Sequence, residues 1–293
     1  MPVPPLAFSL PAFAAVDEGL DRILLINRST GKIDWVYPLE EKCRSLQWLP
    51  SGRLLAVCDV GYVELDCKTG GLCRKVQVAR GGVVSVERLG NGHTLLGGVG
   101  LTEANTVEFC ELDSTDTLCR SARFPGNYVR RSSATSANTI LFTCDTRVIE
   151  GDWRGRLVRE FSISGFKHAW KAIRATDGTT FISAGYGAFI VQCDENGRKL
   201  RRWYCPSGHD EIRPFFFGDF EVLPNGRLLV CNWLGHGTDL GASGYSLLEF
   251  AATGALIGAW RDTEHTSSLQ SFAFAFERPP LVNRRTVRTA VTS

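Results

Sequence analysis

The sequence predicts an all-β protein, a six-bladed β-propeller whose closing blade is built from both termini, and three observations carry that prediction. A hairpin unit recurs five times, a second strand-turn-strand unit recurs six times, and the missing sixth inner strand is found at the far end of the chain. Self-similarity with a period of about 40 residues is what blades leave in a sequence, because each blade is one small sheet stacked on its neighbours.

The hairpin unit reads Trp48-Leu49-Pro50-Ser51-Gly52-Arg53-Leu54-Leu55, then Arg88-Leu89-Gly90-Asn91-Gly92-His93-Thr94-Leu95, Ala175-Thr176-Asp177-Gly178-Thr179-Thr180-Phe181 and Val222-Leu223-Pro224-Asn225-Gly226-Arg227-Leu228-Leu229, with a degraded copy at Thr135-Ser136-Ala137-Asn138-Thr139-Ile140. Asn-Gly, Asp-Gly and Ser-Gly supply the positive φ of two-residue hairpins. The second unit is an alternating strand, a polar turn and a return strand: Val63-Glu64-Leu65-Asp66-Cys67-Lys68-Thr69-Gly70, Ile190-Val191-Gln192-Cys193-Asp194-Glu195-Asn196-Gly197 and Leu247-Leu248-Glu249-Phe250-Ala251-Ala252-Thr253-Gly254, with looser copies at 109–116 and 148–155. It also precedes the first hairpin, as Ile23-Leu24-Leu25-Ile26-Asn27-Arg28-Ser29-Thr30-Gly31. Ser271-Phe272-Ala273-Phe274-Ala275-Phe276 alternates as a strand does and is expected beside the N-terminal strand around Ala12 to Val16, which removes the free sheet edges. The expected domain is a propeller over residues 1–278 followed by a disordered basic tail, 279–293, that carries Arg284, Arg285 and Arg288. A two-sheet sandwich is the rival architecture, but it predicts no regular repeat.

Composition narrows the function classes. A formal charge of +2 gives no field of one sign to hold nucleic acid or an anionic membrane, and no apolar run is long enough to span a bilayer. The ten cysteines are scattered, without the paired CxxC spacing of zinc or redox sites, and several lie in apolar runs such as Ala56-Val57-Cys58. Reduced core thiols are therefore expected, and with them a cytoplasmic location. Leu6 to Ala14 holds a short apolar stretch with Ala-x-Ala but no preceding Lys or Arg, so it reads as a strand rather than a leader.

In a propeller, the start of each blade's innermost strand and the end of its second strand converge on one mouth of the central channel. That rule selects Arg44, Asp59, Arg130, Arg131, Asp145, His168, Trp170, Lys171, Tyr186, Phe217, Asp219, Asn232, Trp233 and His236. Two segments break the aliphatic rule of a core strand, Lys167-His168-Ala169-Trp170-Lys171 and Asn232-Trp233-Leu234-Gly235-His236-Gly237, and such local violations gather at functional sites. His168 is an acid, base or donor, or else a channel-lining ring bonded to a carbonyl. Lys171, Arg130 and Arg131 either anchor substrate oxygens or form an inter-blade ion-pair ring with Asp145 and Asp219. Trp170 and Trp233 either pack between blades or wall a ligand cavity; His236 is a loop contact or a catalyst. Asp59, Asp145, Asp219 and Asn232 offer oxygen ligands for a cation if the fold brings them together, although the nearby basic residues argue against a metal. Nucleophile-elbow, phosphate-loop and zinc-helix motifs are all absent from the sequence.

The Leu-Pro-Asn-Gly-Arg-Leu-Leu hairpin (223–229), the Glu-Asn-Gly-Arg-Lys turn (195–199), His168-Ala169-Trp170-Lys171 and Asn232-Trp233-Leu234-Gly235-His236-Gly237 resemble the PQQ-like and NHL-like six-bladed propeller repeat proteins over residues 20–277. The adjacent cysteine pair and tryptophan-docking repeats of the quinone dehydrogenases are missing, as is the metal set of gluconolactonase-like propellers. The resemblance then implies a small propeller enzyme similar to strictosidine synthase or to the hetero-Diels-Alder cyclases, working without a cofactor on a small, partly apolar molecule by cyclisation, isomerisation or elimination. On that implication His168, Lys171, Arg130, Arg131 and Asp219 do the chemistry, while Trp170, Tyr186, Phe217, Asn232, Trp233, His236, Asp145, Arg44 and Asp59 shape the pocket. The competing function is a non-catalytic scaffold that holds another protein.

Overall fold

A computed structural model describes residues 3–275, so the predicted basic tail and Phe276 lie outside the described residues. Three strands open the chain: β1 Ala12–Asp17, β2 Arg22–Asn27 and β3 Lys32–Pro38. Blade one follows as β4 Leu46–Trp48, β5 Arg53–Cys58, β6 Gly61–Asp66 and β7 Leu72–Gln77; blade two as β8 Val83–Arg88, β9 Thr94–Val99, β10 Thr106–Leu112 and β11 Leu118–Pro125. Blade three is β12 Ser132–Ala134, β13 Ile140–Cys144, β14 Arg147–Gly151 and β15 Leu157–Phe161; blade four is β16 Ala172–Arg174, β17 Thr180–Ser183, β18 Phe189–Cys193 and β19 Lys199–Tyr204. Blade five is β20 Phe216–Val222, β21 Leu228–Trp233, β22 Leu247–Phe250 and β23 Leu256–Trp260, and β24 Leu269–Ala273 joins β1 to β3 as the sixth. All six sheets are four-stranded and antiparallel, and the sixth has the order β24-β1-β2-β3. The fold is the six-bladed propeller that the repeat count predicts, closed by both ends of the chain.

The closure is specified by packing and by one carboxylate. Ala14, Ala15 and Val16 pair with Ala273, Phe272 and Ser271, and a bulge then brings Asp17 opposite Leu269. Asp17 is fully buried, and its Oδ1 accepts the backbone N–H of Ser267 at 2.9 Å and of Ser268 at 3.2 Å together with the Ser267 hydroxyl. Leu6, Leu10, Phe13, Leu24, Leu229, Leu247 and Phe272 form one buried cluster between blades five and six, so the apolar N-terminal stretch is part of the core. All ten cysteines are free thiols, and Cys43, Cys67, Cys193 and Cys231 are buried.

The five inner hairpins fall where expected, but their turns differ from the predicted two-residue type. In each, the turn's fourth residue donates its N–H to the carbonyl three back, as Gly52 does to Leu49 at 3.0 Å. Only that residue has positive φ: Gly52 at 76°, Gly92 at 85°, Gly178 at 88°, Gly226 at 75° and Asn138 at 60°. These are type I turns with a left-handed residue completing a bulge, a site that Asn fills nearly as well as Gly, which is why the Asn138 copy lacks glycine.

A second repeat appears only in the structure. The residue just before the bulge in each third strand is Glu64, Glu111, Glu150, Gln192 or Glu249, and Leu25 in the closing blade. Glu64 pairs with Arg88 of blade two at 2.7 Å and Glu150 with Arg174 of blade four at 2.5 Å, so these buried carboxylates bind blade to blade.

Phe272 is the largest buried side chain of the closing strand, and its substitution tests the closure. Phe272→Ala is expected to cost about 3–5 kcal/mol in urea unfolding at unchanged m-value.

Candidate functional site

Depth along the axis sorts the predicted site residues. At the centre, Asp219 is fully buried: Oδ1 accepts Lys171 Nζ at 2.7 Å and Oδ2 accepts Arg131 Nη1 at 3.2 Å, with the Ser271 hydroxyl donating to the same Oδ2. Lys171 Nζ also donates to the Phe220 carbonyl at 2.7 Å and to Glu221 at 3.1 Å, and Arg131 Nη1 donates to the Arg44 carbonyl at 3.1 Å. The cluster thus ties blades one, three, four, five and six across the axis. It leaves a cavity of only about 20 Å³ beside Arg131 and Lys171, about enough for one water. Burial pushes the Asp219 carboxyl up, but the Lys171 and Arg131 charges and the Lys171 and Ser271 hydrogen bonds outweigh it and hold it at about 2. Lys171, Arg131 and Asp219 therefore form the ion-pair arrangement set out above as an alternative, buried beneath the mouth.

Above the plug, Trp170, Phe216 and Trp233 pack as a separate buried trio, with Trp170 and Trp233 each edge-on to Phe216. Tyr186 and Phe215 border it and are each 37% exposed. His168 stands next to this wall, its ring 5.5 Å from Tyr186. Its Nδ1 lies 2.6 Å from Tyr128 Oη and 3.8 Å from the Asp145 carboxylate. Arg130 stacks over the Tyr128 ring at 4.1 Å. On the opposite side Trp233 meets His236 at 4.6 Å, and His236 Nδ1 lies 2.9 Å from Glu18 Oε1. Arg44 and Lys42 complete the rim on the blade-one side, with Lys42 Nζ 3.3 Å from Glu18. Burial pushes the Tyr128 phenol up to about 12, with the Arg130 charge opposing and Asp145 adding, so the phenol stays protonated.

Backbone geometry fixes the His168 end. His168 and Asp145 sit in the left-handed region at φ 56° and 52°, a strained conformation for non-glycine residues. They are held there by Ala169 N–H donating to the Asp145 carbonyl at 2.7 Å and Tyr186 N–H donating to the Lys167 carbonyl at 2.9 Å. Gly185 makes the approach possible, since a Cβ there would lie 2.2 Å from the His168 carbonyl oxygen.

Three predicted residues lie elsewhere. Phe217 is fully buried in the core between blades four and five against Phe250, because pairing Phe216 with Trp233 turns the next side chain to the other face. Asn232 spends its amide on the backbone, accepting Phe215 N–H at 2.9 Å and donating to the Arg213 and Tyr245 carbonyls. Asp59 is an exposed loop carboxylate that accepts Gly82 N–H at 2.9 Å. Asp59, Asp145, Asp219 and Asn232 thus do not converge on a cation, and no group of three or more His, Cys, Asp or Glu side chains suited to a metal occurs among the described residues. Tyr128, Phe215, Phe216 and Glu18 were missed. Glu18 follows the second strand of the closing blade, where the same convergence rule applies, and Tyr128 lies two residues before Arg130. A cleft of about 460 Å³ beside Leu20, Arg22 and His265 shares no lining residue with the mouth.

No family model matches the chain, and no curated protein matches it in sequence. Solved structures match it in fold. A protein of unknown function from Bacteroides caccae superposes with a TM-score of 0.76 at 20% identity, covering 90% of this chain and 98% of that one. The WD40 β-propeller domain of Doa1 gives 0.61 at 15%, covering 88% and 81%. A streptogramin B lyase gives 0.60 at 12%, covering 93% and 90%. At such identities the likeness is one of architecture. No helix among the described residues is long and apolar enough to cross a membrane.

Asp219 also sets a pH dependence. Its folded pKa lies below the ordinary 3.8, so its contribution is fully present above about pH 4 and is lost as pH falls through about 2. Asp219→Ala leaves Lys171 and Arg131 facing each other without their shared anion and is expected to cost about 3–5 kcal/mol. The check is urea unfolding of wild type and variant at pH 7 and pH 3, with the gap narrowing at the lower pH.

Proposed function

We propose that the chain is an enzyme that binds a small, partly apolar organic molecule in the mouth and transforms it through its own side chains, by elimination, isomerisation or cyclisation. The observation that carries this reading is the strained, half-exposed His168 beside an aromatic wall, with its Nδ1 side occupied by Tyr128 and Asp145. With that side taken, Nε2 is the ring atom left to take or give a proton. Tyr186 and Phe215, backed by the buried Phe216 and Trp233, orient the apolar part of the substrate, and Arg130 polarises its oxygens. Lys171, Arg131 and Asp219 then serve as the rigid floor. Lyase chemistry lies within the range of this architecture, since a streptogramin B lyase shares it. The 37% exposure of both Tyr186 and Phe215 favours a second reading, a scaffold that docks another protein on this face.

Untargeted mass spectrometry of a small-molecule extract incubated with the protein separates the two readings. We expect compounds that wild type consumes and that folded His168→Ala consumes about 10²–10⁴-fold more slowly. An extract unchanged by wild type removes the enzyme reading and leaves the scaffold.

A further inference from the structure

We propose that the ligand of the mouth is an organic anion, its carboxylate, sulfonate or phosphate oxygens held by Arg44 and Arg130 and its apolar body lying on the exposed rings of Tyr186 and Phe215. The proposal rests on the mouth being the binding site and adds the charge of what binds there. The cationic and acidic side chains at and just below this rim pair unevenly. Arg131 and Lys171 are consumed by Asp219 below, while Lys42 and His236 share Glu18. Asp145 faces His168. Arg44 and Arg130 join no ion pair among the described residues, although both are half-buried.

Their surroundings make that vacancy costly. Burial pushes the Arg44 guanidinium down from its ordinary value, and the Arg130 charge pushes it further, with Glu18 opposing. Two like charges that act on each other in a partly desolvated site are relieved by an anion placed between them. Guanidinium groups suit oxyanions by their planar fork of donors, and each is braced here: the Arg44 backbone by Arg131, and the Arg130 head by the Tyr128 ring. From Arg130 an unbroken run of rings leads through Tyr128, His168 and Tyr186 to Phe215, so charge and apolar surface are adjacent parts of one rim. An anion with a flat apolar body matches all of these features, whereas a cation would face two arginines.

The test uses two probes that differ in charge and hardly in shape, 1-naphthoate and 1-naphthamide, titrated by calorimetry. Wild type is expected to bind naphthoate about tenfold or more tightly than naphthamide, an advantage that shrinks as salt is added. Arg44→Gln and Arg130→Gln should stay folded by circular dichroism, and should lose the naphthoate advantage while keeping naphthamide. Equal affinity of wild type for both probes, or an advantage that survives in the double variant, overturns the anion proposal and leaves the mouth as a binding site. Failure of wild type to bind either probe overturns it together with the site reading.

Discussion

The structure depends on one buried carboxylate. Asp219 lies on the propeller axis and receives Lys171, Arg131 and Ser271, which come from three other blades. Desolvating an isolated carboxylate is prohibitive, so Asp219 is tolerable there only with its cations in place, and they only with it. This mutual requirement fixes the distance of the inner strands from the axis, while serines join neighbouring strands directly. Ser45 donates to the Val86 carbonyl at 3.0 Å, Ser85 accepts from Ser132 N–H at 2.9 Å, and Ser133 donates to the Ala172 carbonyl at 2.9 Å. A ring of small hydroxyls and a filled centre turn what would be a channel into a closed floor.

Because the axis is filled, a ligand can approach it only from the mouth above the plug. Ser271 lies on the closing strand, so joining the two ends of the chain also completes the plug. Asp17 at the end of β1 fastens the adjacent loop, and Glu18, its neighbour, reaches His236 and Lys42 on the rim. Closure and site are thus linked through two consecutive acidic residues near the N-terminus.

Much of this was legible in the sequence, and the failures have physical causes. The count of outer against inner hairpins gave the number of blades and the mixed closure, because hydrophobic alternation and turn residues are local signals that survive divergence. The turn type was misjudged because Asn-Gly serves both a two-residue turn and a type I turn with a left-handed fourth residue. Phe217 was preferred to Phe216 since alternation alone cannot reveal the irregular pairing between Phe217 and Phe220, which also brings Asp219 to the axis. Asn232 looked like a ligand because its type is polar, whereas the nearby turn consumes its amide. The glutamate that recurs before the third-strand bulge in four blades was missed because Glu64 or Glu150 reads as an ordinary exposed position until the neighbouring blade supplies its arginine.

Adjacent residues at the strand starts show what sequence type leaves undecided. Arg130 and Arg131 are chemically identical neighbours, yet alternation turns Arg131 down to Asp219 and leaves Arg130 on the rim over Tyr128. Arg44 is left without an acid by the same logic, since its blade contributes only a backbone carbonyl to the plug. Depth along the axis, not residue type, therefore decides which charges hold the propeller together and which stay available to a ligand. The plug neutralises most of its own charge through Asp219 and Glu221, so an arginine one residue above it meets no such compensation. Arg44 and Arg130 are thereby left on the rim outside any ion pair among the described residues, in a chain whose overall charge is only +2.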